Sequence, residues 1–143
     1  DTHSVETMEC MFSCSKFNKD ISRWNVSIVT KMNGMFSCSF FNKPIEDWNI
    51  GNVKTMAYMF QRSLFNQDIG GWNTENVENM ERMFYYSKFS GNVNCWNIRN
   101  VVSIYNMFEH SLVKMNLYNW QIQRSDLEQV EYLYMPRWME YVI

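Results

Sequence analysis

The side chains best equipped for covalent or metal chemistry in this sequence are Cys10, Cys14, Cys38, Cys95, His3 and His110. A zinc site draws on two closely spaced pairs of Cys or His. Cys10 and Cys14 are separated by three residues and have no matching second pair, so no metal site is expected. Cys14 and Cys38 lie 24 residues apart at equivalent places in a repeat. That relation permits a disulfide, although stacked side chains often have poor torsion for one. The other reading is two small, semi-buried thiols in a reducing compartment. Nucleophilic catalysis needs a base within reach of its nucleophile. No Ser-His-Asp or Cys-His grouping converges, because His3 and His110 are far apart. Glu46 and Asp47 are neighbours in sequence and read as a solvated turn. No phosphate-binding or dinucleotide fingerprint occurs. Catalytic residues, cofactors and metals are therefore expected to be absent, and the chain is expected not to be an enzyme.

The elements that place these residues follow from composition. Apolar residues make up 46% and charged residues 20% of the 143 positions, a balance typical of one globular domain. A net charge of −2 gives no basis for a nucleic-acid groove or an anionic membrane surface. No apolar run reaches membrane-spanning length, so membrane insertion is not expected. Asn occurs 17 times and aromatic residues reach 17%, a bias that points to an internal repeat.

The repeat is 24 residues long. Trp24, Trp48, Trp72, Trp96 and Trp120 mark it, as do Phe12, Phe36, Phe60, Phe84 and Phe108. Met, Val, Ile, Ser and Asn rows keep the same register, giving V-x-x-M-x-x-M-F-x-x-S-x-F-N-x-x-I-x-x-W-N-[VIT]. No insertion interrupts it over residues 5–121, and one domain over 1–143 is expected, with 122–143 as a C-terminal cap.

Within one coil, Val29, Met32, Met35 and Phe36 fall at i, i+3, i+6 and i+7, the spacing of one helix face. The helix would be two to three turns, with Thr30, Lys31 and Asn33 solvated. The other half, Phe41 to Ile50, predicts a short strand near Ile45 to Trp48 with turns on either side. Pro44 in one coil and Gly70-Gly71 in another keep that strand short. The expected fold is an α/β repeat solenoid of leucine-rich-repeat type. It has about five coils, each with a short strand and a short helix, and a parallel β-ladder on one face. The serine row is expected where the chain turns tightly against the next coil. The Asn after each Trp is expected to bond backbone groups in its turn.

Segments such as Met59-Phe60, Phe65-Asn66-Gln67-Asp68-Ile69, Trp72-Asn73 and Asn76-Val77 carry a specific likeness. They resemble the repeat of Mycoplasma and Listeria surface lipoproteins, related to BspA-like leucine-rich repeats and also found in protists, algae and large DNA viruses. The resemblance covers about residues 5–121. It implies a surface, adhesion or virion role and brings no catalytic motif. This repeat is one residue shorter than the common bacterial form. The family's Asp survives only as Asp20 and Asp68, and the fifth coil drifts, with Val113-Lys114 for Phe-Asn.

At the ends, Ser125-Asp126 is a plausible helix cap ahead of Leu127, Val130 and Tyr134, so 124–143 is expected to shield the last coil. The first coil lacks its strand half. A partner, a second copy or upstream sequence is expected to cover that end. Function is sought in what varies between coils. Tyr58, Arg62, Arg82, Tyr85, Tyr86, Tyr105 and His110 occupy non-core positions, and Trp138 and Tyr141 exceed what a cap needs. Tyr and Arg are enriched where proteins meet. These residues are the candidate protein-binding set. The expected function is a structural or docking scaffold within an assembly such as a virion or surface layer. The alternative is an adhesion module for a host protein or glycan.

Overall fold

The computed structural model describes residues 2–114 and 120. Coils stack in the 24-residue register, joined by parallel bridges Thr7–Lys31, Lys31–Thr55, Thr55–Asn79 and Asn79–Ser103. The expected α/β solenoid of strands and helices is wrong. Among the described residues there is no α-helix, and extended pairing is confined to those isolated bridges. The bridges also run through Lys31, on the side expected to be the solvated face of a helix. The expected strand at Ile45 to Trp48 is a turn, closed by Trp48 N–H donating to the Ile45 carbonyl at 3.2 Å.

Backbone geometry explains the missing helix. A helix needs φ near −63° at every residue. Here two residues in each coil are left-handed: Cys10 at 54° and Cys14 at 54°, then Gly34 at 60° and Cys38 at 53°. Tyr58 and Arg62, Arg82 and Tyr86, and Asn106 and His110 repeat the pair in the next three coils. Cys10 is the third residue of a turn closed by Met11 N–H on the Met8 carbonyl, and Cys14 of one closed by Ser15 N–H on the Phe12 carbonyl. That third position is where a type II turn requires positive φ. The turns leave alternate N–H groups free to reach the next coil. Met8, Cys10, Phe12 and Cys14 donate to the carbonyls of Lys31, Asn33, Met35 and Ser37 at 2.8–2.9 Å. A helix would consume those donors internally and leave no backbone tie between coils.

Gly34 tests this geometry. A Cβ there would stand 3.2 Å from Cys10 Sγ on a backbone at φ +60°. Gly34→Ala is expected to cost about 1–2 kcal/mol, the penalty of a left-handed L-residue. Thermal melting measures it; an unchanged midpoint would remove the left-handed turn from the account of the fold.

The interior is a set of columns. Phe12, Phe36, Phe60, Phe84 and Phe108 stack with centroids 5.6–5.7 Å apart. Phe17, Phe41, Phe65 and Phe89 form a second column at 6.2–6.4 Å. Within a coil the two columns touch, as at Phe60–Phe65, 4.1 Å. Met32, Met35, Val53, Met56, Met59, Ile45 and Ile69 fill the remainder, all fully buried. Each Trp from the second coil onward donates its indole N–H to a carbonyl one coil back. Trp48 bonds Ile21, Trp72 bonds Ile45, Trp96 bonds Ile69 and Trp120 bonds Val93, at 3.0–3.2 Å. The ring therefore fills the core while its polar edge is satisfied.

The polar rows have separate tasks. Asn25, Asn49, Asn73 and Asn97 accept from the backbone N–H two residues on, as expected of the corner after Trp. Asn18, Asn42 and Asn66 accept from the backbone N–H of the equivalent residue in the next coil. Asn52, Asn76 and Asn100 donate to carbonyls of the preceding coil. Ser39, Ser63 and Ser87 are buried, each accepting from the N–H two residues ahead. Asp20 and Asp68 cap turns in the same way, and the Ser22 N–H holds the Asp20 carboxyl below its ordinary pKa.

Candidate functional site

The turn wall between the bridge column and the serine row carries the residues that vary most. The side chains of its left-handed positions leave the coil outward. The second such column runs Cys14, Cys38, Arg62, Tyr86, His110, all exposed. The first runs Cys10, Gly34, Tyr58, Arg82, Asn106. Stacking brings the two columns together in the third to fifth coils.

Arg62 lies over the Tyr86 ring at 5.6 Å, and His110 covers Tyr86 with centroids 4.1 Å apart. Arg82 sits between two rings, 5.7 Å from Tyr85 and 5.3 Å from Tyr105. Tyr85 meets Tyr86 edge-on at 4.7 Å, which joins the two groups. Tyr58 donates its hydroxyl to Glu81 Oε1 at 2.7 Å. That bond, followed by partial burial, raises the Tyr58 phenol above its ordinary pKa. Glu81 also lies 4.0 Å from Arg82 Nη1, and Glu109 lies 3.5 Å from His110 Nε2.

Seven of the sequence-derived candidates, Tyr58, Arg62, Arg82, Tyr85, Tyr86, Tyr105 and His110, thus form one continuous surface. Trp138 and Tyr141, and the expected cap over 122–143, lie outside the described residues. Sequence reasoning missed a neighbouring column two residues along each coil: Lys16, Phe40, Leu64, Lys88 and Leu112. Phe40, Leu64 and Leu112 are 52%, 44% and 56% exposed, so large apolar side chains stand in solvent beside the Tyr–Arg cluster. The signal was available, because this column mixes apolar and basic residues beside an unbroken Ser row and a nearly constant Phe row.

Cys10, Cys14, Cys38 and Cys95 are free and exposed, so Cys14 and Cys38 stand as two thiols. Among the described residues no group of His, Cys, Asp and Glu could hold a metal ion. No described helix is long and apolar enough to cross a membrane.

Comparison with known proteins gives one match. The family model described as "Mycoplasma protein of unknown function, DUF285" covers residues 1–86, more than half of the chain. No curated protein and no solved structure matches.

Proposed function

This chain belongs to the DUF285 family of repeat proteins, and from that premise we propose that it is a non-enzymatic scaffold that docks other proteins through its turn wall. The observation that carries the reading is the choice of residue at the left-handed positions. Gly and Asn sit there at least strain, and Gly34 and Asn106 do so. Tyr58, Arg62, Arg82, Tyr86 and His110 take the same backbone with a bulky side chain. Each forgoes about 1 kcal/mol or more that Gly would spare. The coil does not require them, and together they make a surface of the composition found at binding hot spots.

A protein partner fits better than a glycan. Sugars stack on open aromatic faces, and although Tyr86 is 47% exposed, Arg62 and His110 both pack on its ring. Membership in an assembly such as a virion or surface layer is the finer part of this proposal. It rests on the sequence resemblance described above, beside the match to a Mycoplasma family of unknown function.

The test compares wild type with a Tyr85→Ser, Tyr86→Ser, Arg82→Ser variant in affinity capture from the source organism. The expected result is loss of a specific co-purifying protein with the melting temperature within a few degrees. Equal capture by a folded variant would make the wall plain surface.

A further inference from the structure

We propose that Arg62 is a carboxylate-binding centre on this wall, and that the segment docking there presents Asp or Glu beside an apolar anchor. The inference rests on the docking reading above and names the partner's chemistry.

Arg62 is exposed and sits over the face of Tyr86, with its guanidinium carbon 5.6 Å from the ring centroid. A cation–π contact of this kind leaves the N–H fork of the guanidinium able to donate. That fork is the part that matches a carboxylate with two parallel hydrogen bonds. Holding the guanidinium near the ring in advance lowers the side-chain ordering that binding would otherwise require. The nearby carboxylates are engaged elsewhere: Glu81 with Tyr58 and Arg82, and Glu109 with His110. Among the described residues no ion pair engages Arg62.

Charge and apolar area lie side by side here. Leu64 follows Arg62 by two residues, and its N–H bonds the Ser39 carbonyl next to Phe40. Lys88 N–H bonds the Ser63 carbonyl in the same way, placing a second exposed cation one coil along, beside Leu64. Phe40 and Leu64 offer an apolar strip, and Arg62 and Lys88 line it with positive charge. Acidic residues also lie on other corners of the coil, at Asp20, Glu46, Asp47, Asp68, Glu75 and Glu78, and those of the cluster, Glu81 and Glu109, are engaged by Tyr58, Arg82 and His110. Phe40, Leu64, Arg62 and Lys88 therefore turn a basic, apolar strip outward on this wall. An acidic segment with a Leu, Phe or Trp anchor complements it in both respects, and a basic one is repelled.

The experiment pans the immobilised chain against a random linear peptide library and titrates the selected peptides. The expected peptides carry Asp or Glu next to a large apolar residue. Their affinity should fall at least about tenfold in Arg62→Gln, and nearly as far in Arg62→Lys, which keeps the charge but not the fork. Phe40→Ser with Leu64→Ser should weaken binding independently, and circular dichroism melts of each variant confirm folding. Selected peptides that lack acidic residues yet lose binding in the Tyr85→Ser, Tyr86→Ser, Arg82→Ser variant would overturn this inference and leave the docking wall standing. Peptides whose binding ignores all of these variants, or no selected peptide at all, would overturn both.

Discussion

Trp72→Ala is expected to destabilise the protein by about 3–5 kcal/mol, measured by urea denaturation. The side chain is 4% exposed, lies 6.4 Å from Phe60 and stacks on Trp96 at 6.3 Å. Truncation leaves a cavity between columns on both sides, and neither column can collapse without breaking register with the next coil. It also removes one of the two hydrogen bonds the Ile45 carbonyl accepts, the indole N–H at 3.1 Å, leaving the one from Trp48 N–H. Losing that bond from an acceptor that keeps its other partner contributes about 0.5–1.5 kcal/mol of that total. Trp72→Phe separates the two contributions, since it keeps most of the ring and loses the donor; it should fall well short of the Ala variant. A loss under about 1 kcal/mol for Trp72→Ala would put the tryptophan outside the core.

A pair of deletions should differ more sharply still. Removing residues 49–72 joins Trp48 to Asn73 and excises one whole coil, so every column stays in line. That variant is expected to fold cooperatively with a lower melting temperature, because each coil touches only its neighbours. Removing residues 61–72 takes away half a coil. Phe60 then runs into Asn73, and the coil loses its Ser63, Phe65, Ile69 and Trp72 positions together. No rotation of the chain restores the inter-coil bonds from Tyr58 and Phe60 to Glu81 and Met83 while keeping the turn closed. The half-coil variant should lack a cooperative thermal transition by circular dichroism. Comparable folding of the two variants would refute a fixed 24-residue register.

The register, the buried columns and the exposed cluster were legible in the sequence, because a residue kept at a fixed interval can be read without knowing the backbone that carries it. The backbone itself was not. Val29, Met32, Met35 and Phe36 have helical spacing, but successive turns present side chains to the interior at nearly the same interval. Periodicity alone cannot separate the two. The informative position was the column Cys10, Gly34, Tyr58, Arg82, Asn106, where Gly and Asn share a place and point to left-handed backbone. The column Cys14, Cys38, Arg62, Tyr86, His110 contains neither, so its positive φ left no trace in residue type. The apolar strip escaped for a similar reason. Phe40 and Leu64 adjoin the core positions Phe41 and Phe65, and a pair of large apolar residues reads as interior whichever one faces out.

The ties between coils point mostly one way. In each interval the turn wall sends its N–H groups toward the following coil, as Met32, Gly34, Phe36 and Cys38 do to Thr55, Ala57, Met59 and Gln61. Fewer backbone bonds return, such as Lys54 to the Thr30 carbonyl and Leu64 to the Ser39 carbonyl. Aligned peptide groups add their dipoles, as they do along a helix, whereas alternating strands in a sheet largely cancel theirs. The stack therefore has an electrical polarity along its axis, negative toward its first coil and positive toward its last. Each further coil adds the same increment, so two ends built from one repeating sequence present different potentials to whatever approaches them.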